Sequence, residues 1–176
     1  MQYPAIEILT GLIFATIFNL EFSIFNKFIL ILVFCIYIVI TIYDLRHKII
    51  PDALVYFSIL LSVVGRWLWV GSTLDLLAGP ILFAFFASIW LLSRGKAMGF
   101  GDAKLGLSIG LLLGASAGFS AITLAFWIGA VFGIIYMIYS HKKITIKSEI
   151  PFAPFMVLGA WLSIILNLDL LHVSLF

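Results

Sequence analysis

The chain has 176 residues, of which 64% are hydrophobic, 16% aromatic and only 10% charged, with a formal net charge of +2 and a mean hydropathy of +1.26. Soluble domains carry about 25% charged residues, so this chain cannot cover itself with polar surface and its solvent must be largely lipid. The same figures exclude a nucleic-acid footprint, which needs a strongly basic face, and an intrinsically disordered segment.

A membrane-crossing helix takes about 20 apolar residues. Seven candidate stretches follow one another, over residues 3–19, 27–43, 52–70, 74–92, 104–118, 120–139 and 152–172. The chain start, Met1-Gln2-Tyr3-Pro4, carries no Lys or Arg and does not read as a removable signal peptide. The first span holds Glu7. The second holds Cys35, the single cysteine, which rules out an internal disulfide and a four-Cys zinc site and reads as an inert thiol buried among apolar neighbours. The fifth holds Gly106, Gly110, Gly114 and Gly118, one every four residues, a spacing that lets neighbouring backbones approach closely. Gly129 and Gly133 repeat the step in the sixth. Trp67 and Trp69 sit where an interface belt is expected. The connections are tight, so residues 1–176 read as one integral-membrane domain. Its fold class is all-α, a polytopic helix bundle of about seven transmembrane helices.

Charge placement gives the orientation. Arg46, Lys48, Arg94, Lys96, Lys104, Lys142, Lys143 and Lys147 fall in the connections after the second, fourth and sixth spans, while Lys27 and Arg66 lie toward the other side. Cytoplasmic connections are enriched in Lys and Arg. That bias places those three connections in the cytoplasm, and Lys142 and Lys143 near lipid headgroups.

Ionisable groups at membrane depth are costly and few. Asp44 and Asp102 stand out, each at a span edge on the cytoplasmic side. Asp44 ends the second span and is followed by Arg46, Lys48 and Pro51, which suits the start of the next helix. It reads equally as the counter-ion of a basic hairpin. Asp102 follows Gly99-Phe100-Gly101, where glycines permit backbone angles other residues avoid. Its plainer reading is a helix cap. Two neighbouring carboxyls sharing one proton supply both the base and the acid that peptide hydrolysis needs, because like charges cannot both ionise easily. His47, His141 and His172 are scattered at span ends without metal-ligand spacing. No metal and no cofactor is expected.

Four stretches carry a resemblance to the bacterial type IV prepilin peptidases, membrane aspartyl proteases of the G-x-G-D class. Asp44-Leu45-Arg46 through Ile50-Pro51-Asp52 resembles the first Asp motif of that family, D-x-R…I-P-N/D. Gly99-Phe100-Gly101-Asp102-Ala103-Lys104-Leu105 resembles the second, G-x-G-D-x-K-L. Ile150-Pro151-Phe152-Ala153-Pro154-Phe155 with Leu158-Gly159-Ala160 is similar to I-P-F-G-P…L-G-A, with Ala153 in place of Gly. Tyr3-Pro4 through Glu7-Ile8-Leu9-Thr10-Gly11 is similar to Y-P-x-x-E-L-L-T-G. The resemblance implies an aspartic endopeptidase in the inner membrane with its active site facing the cytoplasm. The substrate would be a type IV prepilin or type II secretion pseudopilin, whose basic leader is cut after Gly ahead of an apolar helix. Asp44 and Asp102 would be catalytic, and Gly99 and Gly101 would shape the active-site loop. Lys104 would lie close to Asp102, and Glu7 would orient a neighbour or help bind the substrate. Fuller members begin with a cytoplasmic part bearing Cys-x-x-Cys pairs, associated with N-methylation. This chain reads as the peptidase core alone, and methyltransferase activity is not expected.

The main rival from another class is a proton-coupled transporter with the same two Asp residues as a relay. It would place them nearer the bilayer middle, on broken helices.

Overall fold

The computed structural model describes residues 4–68, 73–139 and 151–169. Among them are seven α-helices and no strand: α1 (Pro4–Asn19), α2 (Ile24–His47), α3 (Asp52–Leu68), α4 (Thr73–Ser93), α5 (Phe100–Leu113), α6 (Ala115–Tyr139) and α7 (Ala153–Ile165). The chain is therefore a membrane helix bundle. The stretches Ile24–His47, Asp75–Ser93 and Ala115–Tyr139 are long and apolar enough to cross a bilayer, whereas Glu7–Asn19 and Ala153–Ile165 are shorter apolar helices. Trp69, His141, Lys142, Lys143, Lys147 and His172 lie outside the described residues.

Helix boundaries follow local chemistry. Ser23 caps α2, its hydroxyl accepting the Asn26 N–H at 3.3 Å. Lys48 ends α2 in the left-handed region (φ 54°) and donates its N–H to the Asp44 carbonyl. The Pro51 carbonyl accepts the Val55 N–H, which opens α3. α5 has 14 residues, about 21 Å at ~1.5 Å per residue. It stops early because Gly114, at φ +81°, turns the chain straight into α6. A side chain on Gly114 would collide with the Arg66 guanidinium. Gly118, expected at the end of the fifth helix, belongs to α6 for the same reason.

The remaining glycines of the stripe serve close packing. A Cβ on Gly110 would lie 2.7 Å from the Gly79 backbone in α4, and one on Gly106 would lie 2.7 Å from the Phe86 ring. α4 and α5 thus meet backbone to backbone. Arg66 and Asp75 tie the far ends of α3 and α4 at 3.6 Å, and Asp75 also accepts the Ala115 N–H at 3.0 Å.

Cys35 corrects its expected burial: it is exposed. The buried face of α2 runs through Leu30, Val33, Phe34, Tyr37, Ile40, Thr41 and Asp44. Cys35 falls on the opposite face, toward lipid. A helix apolar all round hides which side faces its neighbours.

Candidate active site

The α2–α3 connection, the α4–α5 connection and the start of α7 meet at one end of the bundle, around a cavity of about 1010 Å³. Asp44 and Asp102 both line it, with Gly99, Gly101, Phe126 and Phe152. α3 lies in contact with both α2 and α5, and α7 packs on α2 and more lightly on α5.

Asp44 sits in the last turn of α2 and is 5% exposed. Its Oδ2 accepts the backbone N–H of Ala153, the first residue of α7, at 3.2 Å. A helix N-terminus presents unpaired N–H groups, so a carboxylate is well placed there. Asp102 sits in the first turn of α5, ahead of the apolar stretch, and is 7% exposed. Its Oδ2 accepts the Gly99 N–H at 3.2 Å, and its own N–H returns to the Gly99 carbonyl. Asp102 thus closes a capping box from the third position of α5, with Gly99 as the N-cap. Oδ1 of Asp102 is buried with no hydrogen-bond partner among the described residues. Burial first, and then the negative charge of Asp44, push the Asp102 carboxyl up to about 7, against the opposing Gly99 N–H.

Neither loop glycine adopts the backbone angles expected of it, and only Gly101 has a steric reason. Gly99 is extended at φ −74°, and neither it nor Gly101 has positive φ. Gly101 is small for a steric reason: a Cβ there would lie 2.8 Å from Ile50 Cβ. The missing side chain lets the α2–α3 connection close against the start of α5.

Lys104 lines the cavity but does not pair with Asp102. Its ammonium donates to Asp52 Oδ1 at 2.7 Å and lies over the rings of Tyr56 (5.0 Å) and Phe100 (5.3 Å). Asp52 is the nearer carboxylate and the more solvated, its side chain 60% exposed. Exposed ion pairs contribute about 0–1 kcal/mol. Asp52→Asn is therefore expected to lower activity by no more than about fivefold, measured as kcat/KM beside wild type. Glu7 is exposed in the first turn of α1 and does not line the cavity.

Sequence reasoning missed the Ala153 amide, Ile50 and Asp52. The first is a backbone donor 109 residues from its acceptor, which no side-chain pattern announces. Ile50 and Asp52 stood inside a quoted motif, yet their partners, Gly101 and Lys104, are set by folding.

A membrane bundle of helices that gathers two buried carboxyls in one cavity at its end is the class of protein this geometry defines. The type IV leader peptidase family matches residues 29–136, a stretch that includes both carboxyls, and the chain belongs to this family. It is 29% identical over 168 residues to a protein of Xanthomonas campestris pv. campestris named prepilin leader peptidase/N-methyltransferase, covering 92% of this chain and 58% of that protein. Proteins of the same name from Aeromonas salmonicida (25% over 171 residues, 93% of this chain and 58% of that protein) and Bacillus subtilis (27% over 170 residues, 92% and 65%) are similar too. The chain thus spans about three-fifths of the length of these relatives. No solved structure matches it.

Proposed function

We propose that the chain is an aspartic endopeptidase of the inner membrane, and that it removes the basic leader of prepilins or pseudopilins after Gly at the cytoplasmic face. The observation that carries this reading is the meeting of Asp44 and Asp102 in one cavity, with Asp102 Oδ1 buried and unpartnered. The relatives' shared name supports the substrate class, and the clustering of Lys and Arg beside the cavity supports the cytoplasmic face.

In this mechanism the pair holds one proton and one water. The ionised carboxylate takes a proton from the water as its oxygen attacks the scissile carbonyl carbon. The protonated carboxyl gives its proton to the carbonyl oxygen, so a neutral diol forms. The C–N bond then breaks: the first carboxyl passes its proton to the departing nitrogen, and the second recovers one from a diol hydroxyl. The pair ends as it began. Burial and the charge of Asp44 hold the Asp102 carboxyl up to about 7, and burial raises Asp44 as well, so the pair keeps one shared proton to near neutrality.

The sign of the pH dependence follows. A carboxyl whose folded value is raised stays protonated to near neutrality and loses its proton above that. Cleavage is expected to fall as pH rises through about 7, and a kcat/KM profile in liposomes checks it. The limb belongs to the pair and not to one residue.

The testing experiment co-expresses the chain with a substrate bearing a basic leader, Gly and an apolar helix, and follows the size of the substrate. Leader loss supports the reading. An intact substrate together with proton flux in liposomes would favour the transporter.

A further inference from the structure

Four hydroxyls lie together inside the bundle, below the cavity. They belong to Tyr37 of α2, Ser58 and Ser62 of α3, and Ser108 of α5, all fully buried. None lines the cavity. Ser62 donates to the Ser58 carbonyl and Ser58 to the Val55 carbonyl, both at 2.8 Å. Ser108 donates to Ser58 Oγ at 2.9 Å and lies 3.3 Å from Ser62 Oγ. The three serine hydrogens are thereby committed. With the serine hydrogens so placed, Tyr37 OH, which lies 2.9 Å from Ser108 Oγ and also bonds Ser62, is left as the donor to Ser108.

This bond joins the two helices that carry the carboxyls. α2 and α5 are not among the closely packed pairs, and α3 contacts both. Tyr37 stands seven residues before Asp44, on the same face of α2, about 10.5 Å along the axis at ~1.5 Å per residue. Ser108 stands six residues after Asp102 on α5, about 9 Å along. The bond therefore links α2 and α5 at nearly equal depth below both carboxyls. Nearer the cavity, Ile50 of the α2–α3 connection packs against Gly101 of α5.

We propose that Tyr37 and Ser108 are positioning residues for cleavage, their hydrogen bond setting the register of α2 against α5 and so the separation of the Asp44 and Asp102 carboxyls. The proposal rests on the peptidase reading. A misplacement of about 1 Å can cost about a hundredfold in rate. Tyr37→Phe deletes only the donor and leaves Ser108 bonded to Ser58, so the bundle is expected to fold.

The test compares wild type, Tyr37→Phe, Ser108→Ala and the double variant in liposomes. Each single change should lower kcat about ten- to a hundredfold with KM nearly unchanged. The double variant should be close to Ser108→Ala alone, which already removes the Tyr37–Ser108 bond together with the Ser108 contacts to Ser58 and Ser62. In parallel, a Cys35→Ser/Asp44→Cys/Asp102→Cys chain is treated with a short thiol crosslinker, with and without Tyr37→Phe. Slower crosslinking with Tyr37→Phe is expected. Wild-type kcat in either single variant, additive losses, or an unchanged crosslinking rate would each overturn the proposal. If wild type cleaves nothing, the peptidase reading fails, while the crosslinking rate still decides whether the bond positions the pair.

Discussion

Asp44→Asn and Asp102→Asn are each expected to reduce cleavage of a basic-leader substrate by at least about a thousandfold in kcat, the upper range for loss of a general acid or base. The amide keeps the shape and the hydrogen-bond acceptor. Asn at 44 can still accept the Ala153 N–H, and Asn at 102 can still accept the Gly99 N–H. Local structure should therefore survive, and only proton exchange is lost. For Asp102 the swap also removes a carboxyl that burial holds up to about 7. Protonated Asp102 is well tolerated in acid, and that contribution disappears as pH rises through about 7. Asp102→Asn should then be as stable as wild type in acid and more stable in alkali. Activity and thermal unfolding in the same detergent, at acid and alkaline pH, check both halves. An Asn variant with substantial activity would make that carboxyl structural.

Gly110→Ala is expected to destabilise the bundle strongly. The added methyl would lie 2.7 Å from both Cα and N of Gly79 and 2.8 Å from the Ala78 carbonyl carbon. These are backbone atoms of the facing helix, so no side chain can move aside and α4 must separate from α5. Overpacking costs about 1–3 kcal/mol and at times more. The consequence reaches the cavity, because α5 carries Asp102. Gly11→Ala is the matched control: nothing lies within 4 Å of a Cβ there, and replacing a helix Gly by Ala stabilises by up to about 1 kcal/mol. A lower unfolding midpoint for Gly110→Ala and an unchanged or higher one for Gly11→Ala is the expected pair of results.

Much of this was legible in the residues. Apolar runs bounded by charges and prolines located α3 and α4 to within about two residues, because lipid leaves long apolar stretches no other place. The two carboxyls were legible because charge at a span edge needs a reason. The start of α5 was not: Gly99-Phe100-Gly101 reads as loop, yet Phe100 and Gly101 already belong to the helix, with Ile50 packed where a Gly101 side chain would stand. The end of α5 was hidden as well, since Gly114 looks like one more member of a packing stripe until its φ of +81° is seen. Long-range partners were beyond reach altogether. Lys104 has two acidic residues to choose from, and the fold brings it to Asp52 across 52 positions of sequence. Cys35 fell on the wrong side because hydropathy alone does not orient a helix in lipid.

The most direct measurement is mass spectrometry of the products formed by the purified chain in liposomes, with a substrate carrying a basic leader, Gly and an apolar helix. The account predicts a released leader ending in Gly and a mature chain beginning at the next residue. Both should form with wild type and be lost with Asp44→Asn and with Asp102→Asn. Intact substrate with wild type, or a cut at another bond that persists in both variants, would contradict it.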